Sequence, residues 1–365
     1  MIWLTGLTLL ASPAPYYTIP LLDLAYETER QVVVDREAGQ YLGHVSTLLL
    51  PDQATILAVY PKGHGRGAII YRRSTDGGLT WSERLPVPEN WATSLETPTI
   101  FRLTDREGTP RIVLFSGLYP IRTAISEDDG QTWTPLAKIG DYGGIVAMGD
   151  CVALADGSHA AWFHDDGRFF TAEPGPVRRI RVYQVNSEDG GRTWSAPRFL
   201  FSHPEADLCE PGIVRSPDGS TLAMLLRENT RTHNGFVSFS SDEAKTWSEP
   251  VELPAALTGD RHTLRYAPDG RLVCVFRDMA RQSVTRGDFV AWVGTWDDLD
   301  EGREGQYRVR LGDNTQGTDT GYPGLEVLPD GTFVATTYGH WTNGEPPYIV
   351  SFRFNLPELD KRLGR

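Results

Sequence analysis

The chain has 365 residues, of which 40% are hydrophobic and 23% charged, so it can bury a large core and disorder is excluded as its main state. Its 35 Lys and Arg residues against 48 Asp and Glu give a net charge of −13. This balance argues against a general nucleic-acid binder, because phosphate binding requires clustered positive charge. Cys151, Cys209 and Cys274 are too few for a disulfide framework and are interpreted as small buried residues or free thiols.

Residues 1–15 form an apolar segment without a charged residue. The segment resembles the hydrophobic part of a secretory signal but lacks the basic residues that normally precede it, and a buried first strand is the alternative. The first interpretation predicts a secreted or periplasmic protein, and the second is compatible with a cytoplasmic one. Residues 16–365 are taken as one domain. No later apolar run approaches the ~20 residues of a membrane helix, so no membrane span is expected.

One eight-residue segment recurs four times with the pattern S-x-D-x-G-x-T-W, except that Ala244 replaces the glycine of the last copy. The four tryptophans are 52, 61 and 53 residues apart. The pattern is typical of a β-turn in which the Asp carboxylate accepts backbone N–H groups, Gly supplies a positive φ, and Trp packs between neighbouring sheets. We call these segments the Asp boxes; they span residues 74–81, 126–133, 187–194 and 240–247.

A second repeat predicts the number of sheets. A hairpin turn centred on aspartate occurs six times, and an apolar strand follows each turn; only residues 358–363 look helical. The predicted fold is therefore all-β, a six-bladed β-propeller of four-stranded antiparallel blades, with residues 16–35 closing the ring by pairing with the last blade. The turns centre on Asp52, Asp105, Asp156, Asp218, Asp269 and Asp330, and the strands are Ile56–Tyr60, Arg111–Ser116, His159–His164, Leu222–Arg227, Leu272–Arg277 and Phe333–Tyr338.

The propeller topology predicts which residues share a face. The start of the innermost strand, the end of the second strand and the loop after it meet at one rim, and the Asp boxes lie on the opposite face. Binding residues concentrate on loops that a rigid scaffold positions, so we expect the site at this rim. Five of its histidines lack the close spacing of a metal site, and neither a metal nor another cofactor is expected. The candidates at this rim are His44, Lys62, His64, Arg66, Glu96, His164, Asp165, Glu210, Arg227, Arg261, His262, Arg277, Asp278, Arg286, Tyr322 and His340.

With its four Asp boxes, the chain resembles the sialidase (neuraminidase) superfamily over nearly its whole length. Residues 209–214 with Arg227 resemble the family's fourth-blade glutamate and arginine, and residues 321–331 resemble the segment that carries its nucleophilic tyrosine. The resemblance implies that Tyr322 attacks the anomeric carbon, with Glu210 as the base that ionises it. It also implies a carboxylate-binding arginine at Arg286 and a sugar-contacting acid at Glu96. Bidentate pairing with a carboxylate is the physical reason for arginines at such a site.

The first blade departs from the family pattern twice. His44 stands where the family has an arginine of its carboxylate clamp. We expect a protonated His44 to attract the substrate anion, and the alternative is a neutral His44 that hydrogen-bonds a substrate hydroxyl. The next loop, residues 60–68, contains no carboxylate, although the family carries its acid/base aspartate there. Lys62 is a candidate for the missing arginine. Because hydrolysis requires a proton donor unless the leaving group is good, His64, Asp165 and Asp278 are candidates for that role.

Three functions remain open from the sequence. The first is a retaining exo-glycosidase, expected to be a monomer, that acts on a terminal acidic sugar such as sialic acid or a related 2-keto-3-deoxy sugar acid. The second is a polysaccharide lyase acting on uronic acids, which the histidines and the missing aspartate favour. The third is a carbohydrate-binding propeller without activity. The expected partner in all three is an acidic glycan or glycoconjugate.

Overall fold

The computed structural model describes residues 17–171 and 179–365, and the predicted segment 1–15 lies outside them. Within these residues, six sheets form a six-bladed propeller, as predicted, and all of their strands pair antiparallel except one amino-terminal strand added to blade five. Each predicted apolar strand is the second strand of one sheet, with bounds that agree to within one residue. These strands are apolar along their whole length because neighbouring blades cover both of their faces.

The blades follow the chain in order. Blade one contains β3 (Ser46–Leu49), β4 (Ile56–Pro61) and β5 (Ile69–Ser74). Blade two contains β6 (Thr99–Thr104), β7 (Pro110–Ser116), β8 (Arg122–Ser126) and β9 (Ala137–Lys138). Blade three contains β10 (Ile145–Ala153), β11 (His159–Asp165), β12 (Arg181–Ser187) and β13 (Arg198–Phe201). Blade four contains β14 (Leu208–Arg215), β15 (Leu222–Glu228), β16 (Phe236–Ser240) and β17 (Val251–Glu252). Blade five contains β18 (Gly259–Tyr266), β19 (Leu272–Asp278), β20 (Phe289–Gly294) and β21 (Tyr307–Gly312). Blade six contains β22 (Gly321–Val327), β23 (Phe333–Gly339) and β24 (Tyr348–Phe354).

The amino-terminal strands complete the last two blades. Strand β2 (Gln31–Asp35) pairs antiparallel with β24, which closes the ring as predicted. Strand β1 (Leu21–Asp23) adds a fifth strand to blade five, parallel to β21. Blade one has three strands among the described residues, so the number of strands varies around the ring.

Two short α-helices follow capping residues. Helix α1 (Trp296–Asp300), which the sequence did not predict, begins after Thr295, whose side chain and that of Asp298 form a capping box. Helix α2 (Leu356–Arg362) coincides with the helical segment predicted near the carboxyl end, and Asn355 caps it. No helix in residues 17–171 or 179–365 has the length and apolar character needed to cross a membrane.

The four Asp boxes share one hydrogen-bond pattern, here given for the second box. The Asp128 carboxylate accepts the Ser126 hydroxyl at 2.8 Å, the Thr132 N–H at 2.8 Å and the Thr132 hydroxyl at 2.6 Å. The Gly130 N–H donates to the Ser126 hydroxyl at 2.8 Å. Because all of these partners lie within seven residues, each box folds from its own sequence.

Each Asp box also contacts the preceding blade. In the second box, the Gly130 carbonyl accepts the hydroxyl of Tyr71 in blade one at 2.8 Å. In the third, the Asp189 carbonyl accepts Arg111 of blade two at 2.8 Å. Apolar side chains fill the layers between neighbouring blades, including the fully buried Trp91 and Trp162. The boxes therefore join neighbouring sheets at one face of a rigid scaffold.

The close packing around the glycine of an Asp box predicts that two Gly→Ala variants differ in their free energy of unfolding. Gly130 and Gly219 share a φ of +81°, but a Cβ at Gly130 would lie 2.6 Å from the Tyr71 hydroxyl, whereas none of the described atoms lies within 4 Å of one at Gly219. We expect Gly219→Ala to lower the free energy of unfolding by about 1–2 kcal/mol through backbone strain. Gly130→Ala should cost about 1–3 kcal/mol more through overpacking. Urea unfolding of both variants checks this, and equal losses would contradict the steric role of Gly130.

Candidate active site

Five non-glycine residues with a left-handed backbone surround the propeller axis. Their φ values are 49° to 57°, and each lies within two residues of the first residue of an innermost strand; they are His44, Val146, Glu210, Arg261 and Tyr322. Such a conformation costs about 1–2 kcal/mol for an L-residue, and strained residues cluster at functional sites. The left-handed backbone conformations therefore indicate the same rim as the sequence pattern, from an independent observation.

The same β-bulge recurs in blades four, five and six. Cys209 pairs across the sheet with Arg227, Asp260 with Arg277, and Gly321 with Tyr338, and in each blade the register shifts immediately afterwards. The residue after each first member carries the positive φ. A bulge of this kind redirects a side chain, and here it affects residues beside the axis.

A cavity of about 300 Å³ opens at this rim. Blades one, two, three, four and six contribute to it, and Tyr322 and Glu210 lie in its wall. A larger groove of about 700 Å³ lies on the Asp-box face between blades three and four, and none of the five axial residues lines it, although Glu243 and Ala244 in its wall also have a left-handed backbone. We therefore place the candidate site in the smaller cavity. Its wall includes His44, His64, Arg66, Glu96, His164, Arg168, Cys209, Glu210, Asn229 and Tyr322.

Tyr322 and Glu210 are joined directly. The Tyr322 hydroxyl donates to Glu210 Oε1 at 2.5 Å, and Arg227 Nη1 donates to the same oxygen at 2.6 Å. Burial alone would raise the pKa of Glu210, but the Arg227 guanidinium holds it below its ordinary value. Burial and the neighbouring Glu210 carboxylate raise the pKa of Tyr322 well above 10.0. The resting pair is thus a neutral phenol beside an anionic carboxylate, an arrangement in which the carboxylate can take the phenol proton.

The arginines behind Glu210 share a buried carboxylate, Asp260. Asp260 accepts Arg231 at 2.5 and 2.9 Å and Arg277 Nε at 2.8 Å, and Arg227 Nε lies 3.4 Å away. Burial would raise the pKa of Asp260, but the guanidinium groups of Arg277, Arg227 and Arg231 lower it strongly. Asp260 therefore orients the arginines and offsets part of their positive charge behind Glu210.

His44 is neutral, so the expected charged clamp at this position is wrong. Its Nδ1 accepts the Gly65 N–H at 3.0 Å, and its ring lies 4.2 Å from the Tyr322 ring and 4.8 Å from the Tyr338 ring between centroids. Burial, together with nearby cationic groups such as Arg277, lowers the pKa of His44 well below 6.5. The ring packs against the tyrosine and can offer a substrate an Nε2–H donor but no charge.

His164 is a second buried neutral histidine beside Glu210. Its Nδ1 accepts the Glu210 N–H at 3.4 Å, and burial lowers its pKa to about 4. In the unfolded chain the pKa of this histidine is about 6.5, so the unfolded state binds a proton at a higher pH than the folded state does. The neutral ring therefore contributes to the free energy of unfolding above pH 6.5, and this contribution is lost as the pH falls toward 4.

We expect His164 to account for about 2 kcal/mol of the stability that the protein loses between pH 7 and pH 5. Urea unfolding at both values should show a correspondingly smaller loss for His164→Gln than for the wild type. His233→Gln, at a part-exposed histidine 2.8 Å from Glu252, is the matched control and should not make the loss smaller than in the wild type. The same pH dependence in His164→Gln and the wild type would contradict the buried neutral state.

Glu96 and Arg66 complete the polar wall, whereas Lys62 does not. Glu96 accepts the N–H groups of Thr97 at 3.0 Å and Val146 at 3.3 Å, and burial raises its pKa. Arg66 is exposed and makes no ion pair with any residue that the structure describes. The expectation that Lys62 replaces the missing arginine is wrong, because Lys62 lies outside the cavity wall and pairs with Glu37 at 2.9 Å.

Three further expectations fail because the local loops bind the side chains. Asp165 is fully buried and accepts the N–H groups of residues 167, 169 and 170, so it stabilises a turn. Asp278 is fully buried and accepts the hydroxyls of residues 283 and 285, with Arg308 at 2.9 Å. Arg286 is exposed and donates to the carbonyls of residues 279 and 280. None of the three lines the cavity.

Arg261 and His262 lie below the cavity rather than in it. They line a separate axial space of about 240 Å³, together with Asp150 and Arg265. The Arg261 guanidinium lies 5.9 Å from the centroid of the Tyr322 ring, and His262 Nε2 donates to a carbonyl at 3.0 Å. Both residues were expected to bind substrate, but neither belongs to the wall of the candidate cavity.

The sequence-based expectations missed Asp260, Tyr41 and Asp319. A signal for Asp260 was available, because alignment of the repeats places it level with Cys209 and Gly321, directly before a residue at the axis. No repeat marks Tyr41 and Asp319, which lie in single loops next to β3 and β22. His340, a predicted substrate contact, lies behind the cavity with its Nε2 3.0 Å from Asp319.

Comparison with known proteins agrees with this architecture. The BNR repeat-like domain family matches residues 115–334. The chain is 26% identical to a sialidase from Micromonospora viridifaciens over 285 residues, 66% of this chain and 42% of that protein. It is 29% identical to a sialidase from Bacteroides fragilis over 153 residues, 33% of this chain and 27% of that protein. The matches thus span less than half the length of either relative.

Solved structures with the same fold include proteins of known and unknown function. A protein of unknown function from Dyadobacter fermentans has a TM-score of 0.68 at 15% identity, covering 89% of this chain and 97% of that one. The intramolecular trans-sialidase from Ruminococcus gnavus has a TM-score of 0.61 at 15% identity, covering 87% and 95%. These identities show a shared fold. The family match, the Asp boxes and the six blades show that the chain belongs to the BNR repeat-like domain family, and sialidases are among the proteins that it resembles at low identity.

Proposed function

We propose that the protein is a retaining exo-glycosidase that removes a terminal acidic sugar, sialic acid or a related 2-keto-3-deoxy sugar acid, from a glycan. The observation that carries this proposal is the 2.5 Å hydrogen bond from Tyr322 to Glu210, with Arg227 on the same carboxylate oxygen. A neutral phenol is a suitable nucleophile for an anionic sugar, since a carboxylate nucleophile would be repelled by the substrate. The sialidase relatives support the same class of reaction.

The proposed reaction has two displacements at the anomeric carbon. In the first, Tyr322 Oη bonds to the anomeric carbon, Glu210 takes the phenol proton, and the departing glycosidic oxygen takes a proton from His64. In the second, a water oxygen replaces Tyr322, His64 takes the proton of the water, and Glu210 returns its proton to the phenol oxygen. Two inversions retain the configuration of the sugar.

The cationic side chains at the cavity are suited to bind one acidic group of a substrate rather than several. Arg66 has no ion-pair partner among the described residues, whereas Arg227 and Arg277 share Asp260. We therefore propose that Arg66 binds the sugar carboxylate. Arg227, whose charge is partly balanced by Glu210 and Asp260, adds a weaker attraction for the same carboxylate. Glu96 faces the same cavity and is assigned to a sugar hydroxyl. The expected ligand remains an acidic glycan, and the protein is expected to act as a monomer.

A screen of acidic glycosides with two readouts tests the proposal. Proton NMR of the released sugar during early turnover should show retained anomeric configuration for a sialoside or a 2-keto-3-deoxy sugar glycoside. Inversion, or no release from any acidic glycoside, would contradict the proposal. Arg66→Gln should raise KM for the carboxylate-bearing substrate, while Arg73→Gln, at a part-buried arginine outside the cavity, is the matched control.

A polysaccharide lyase is the second candidate. Two neutral histidines, His44 and His164, lie beside Tyr322 and Glu210, and the loop between β4 and β5 holds no carboxylate. A lyase needs a side chain that takes the proton next to the substrate carboxylate. Nδ1 of His44 and Nδ1 of His164 already accept backbone N–H groups, so we assign this role to Nε2 of His64 in the cavity wall. Uronic-acid polysaccharides in the same screen decide between the two classes, because a lyase produces an unsaturated acid that absorbs in the ultraviolet and a hydrolase does not.

A further inference from the structure

A hydrogen-bonded group of four side chains adjoins the cavity where blades one and six meet. Tyr41 comes from the loop before β3, His64 from the loop after β4, Asp319 from the loop before β22, and His340 from the end of β23. We call this group the His64 relay. His64 lines the cavity, while Tyr41 and Asp319 lie behind it.

The hydrogen-bond directions in the relay follow from the number of available protons. The Tyr41 hydroxyl donates its one hydrogen to Asp319 Oδ1 at 2.7 Å. Its oxygen lies 2.5 Å from His64 Nδ1, so in that contact the oxygen must accept and the nitrogen must donate. The neutral His64 ring therefore carries its hydrogen on Nδ1. Nε2, which contacts no hydrogen-bonding group among the described residues, is left for a ligand.

Asp319 is itself held in place from three directions. Besides Tyr41, it accepts the Tyr338 hydroxyl at 3.3 Å on Oδ1, and His340 Nε2 lies 3.0 Å from Oδ2. His340 Nδ1 is 2.9 Å from the Glu345 carbonyl, which fixes the ring. Asp319 Oδ1 also lies 3.6 Å from His64 Nδ1, so a carboxylate oxygen stands beside the ring nitrogen that the Tyr41 oxygen contacts.

The position of His64 relative to Tyr322 suits a proton donor. The His44 ring lies between them, 4.7 Å from the His64 ring and 4.2 Å from the Tyr322 ring between centroids. His64 and Tyr322 therefore occupy different parts of one cavity wall. A donor must reach the departing oxygen while the nucleophile reaches the anomeric carbon, and a histidine oriented by a carboxylate is a common solution.

We propose that Tyr41 and Asp319 are positioning residues that hold His64 with Nδ1 as the internal donor and Nε2 facing the substrate, so that His64 takes over the acid–base role of the missing aspartate. This proposal rests on the proposed function. In the glycosidic step, Nε2–H of the imidazolium gives its proton to the departing oxygen, and the ring keeps its Nδ1–H bond to Tyr41. In the hydrolytic step, Nε2 takes the proton back from water.

Histidine NMR tests the arrangement without any need for turnover. In 15N-histidine-labelled protein, the neutral His64 signals, assigned with His64→Gln, should show the Nδ1–H tautomer. In Tyr41→Phe the acceptor for Nδ1–H is lost, and the signals should shift toward the Nε2–H tautomer; Asp319→Asn should shift them in the same direction. Tyr26→Phe removes another Tyr–Asp hydrogen bond, 2.6 Å from Tyr26 to Asp313, and should leave His64 unchanged. An Nε2–H tautomer in the wild type would overturn the relay.

Kinetics with two leaving groups tests the acid–base role. Tyr41→Phe should lower kcat/KM by about 10²-fold for a substrate with an alkyl leaving group, which needs a proton, and by only a few-fold for an aryl glycoside with a good leaving group. Equal losses on both substrates would overturn the donor role and favour Glu96. If neither substrate is cleaved by the wild type, the proposed function fails, and the tautomer measurement still decides the relay.

Discussion

Tyr322→Phe is expected to lower kcat by at least about 10³-fold on an acidic glycoside, because it removes the oxygen that forms the covalent intermediate. The loss should appear in kcat more than in KM, since the ring remains to pack against His44. Initial rates over a range of substrate concentrations measure both parameters. Mass spectrometry of wild-type protein trapped with a slow fluorinated substrate should place the sugar on Tyr322.

The matched control is Tyr60→Phe. Tyr60 is fully buried and donates to the Asp35 carboxylate at 2.6 Å, so it resembles Tyr322 in burial and in its partner, but it does not line the cavity. We expect kcat to stay within a few-fold of the wild type in this variant. Near-full activity of Tyr322→Phe would show that Tyr322 is not the nucleophile.

Asp260→Asn is expected to lower the free energy of unfolding by about 3–5 kcal/mol, because removing one partner of a buried ionic group leaves the other charges uncompensated. Arg231 and Arg277 would lose their buried carboxylate, and Arg227 would keep Glu210 as its one carboxylate partner among the described residues, with Asn229 as a neutral acceptor. In addition, the side chain introduced by Asp260→Asn would have an NH₂ group in place of one carboxylate oxygen, and this donor would face guanidinium groups that need hydrogen-bond acceptors. Urea unfolding monitored by tryptophan fluorescence measures the loss.

Asp141→Asn provides the control for Asp260→Asn. Asp141 pairs with Lys138 at 2.6 Å, and both side chains are largely exposed, so its loss should change stability by less than about 1 kcal/mol. A loss of similar size in the two variants would show that the arginines do not depend on Asp260.

Features that repeat along the chain were predictable from the sequence. The hydrogen bonds of an Asp box connect residues such as Ser126, Asp128 and Thr132, which are neighbours in the chain, so the pattern of letters carries the structure. The six regularly spaced apolar strands likewise predicted six blades, because every blade contains one strand that its neighbours cover on both faces. Blade one with three strands and the short helix α1 were not predicted, since neither interrupts these periods.

The sequence by itself therefore determined the six-bladed scaffold, the Asp boxes and the rim that holds the candidate site. Only the tertiary structure decided which polar residues of that rim face the cavity. Asp165 and Asp278 accept hydrogen bonds from backbone N–H and hydroxyl groups of their own loops. Glu210, by contrast, accepts a hydrogen bond from Tyr322, which lies 112 positions away in the chain. The physical reason is that a polar side chain takes the hydrogen-bond partners that its loop conformation and neighbouring blades bring within about 3 Å, and residue type and spacing do not specify those partners.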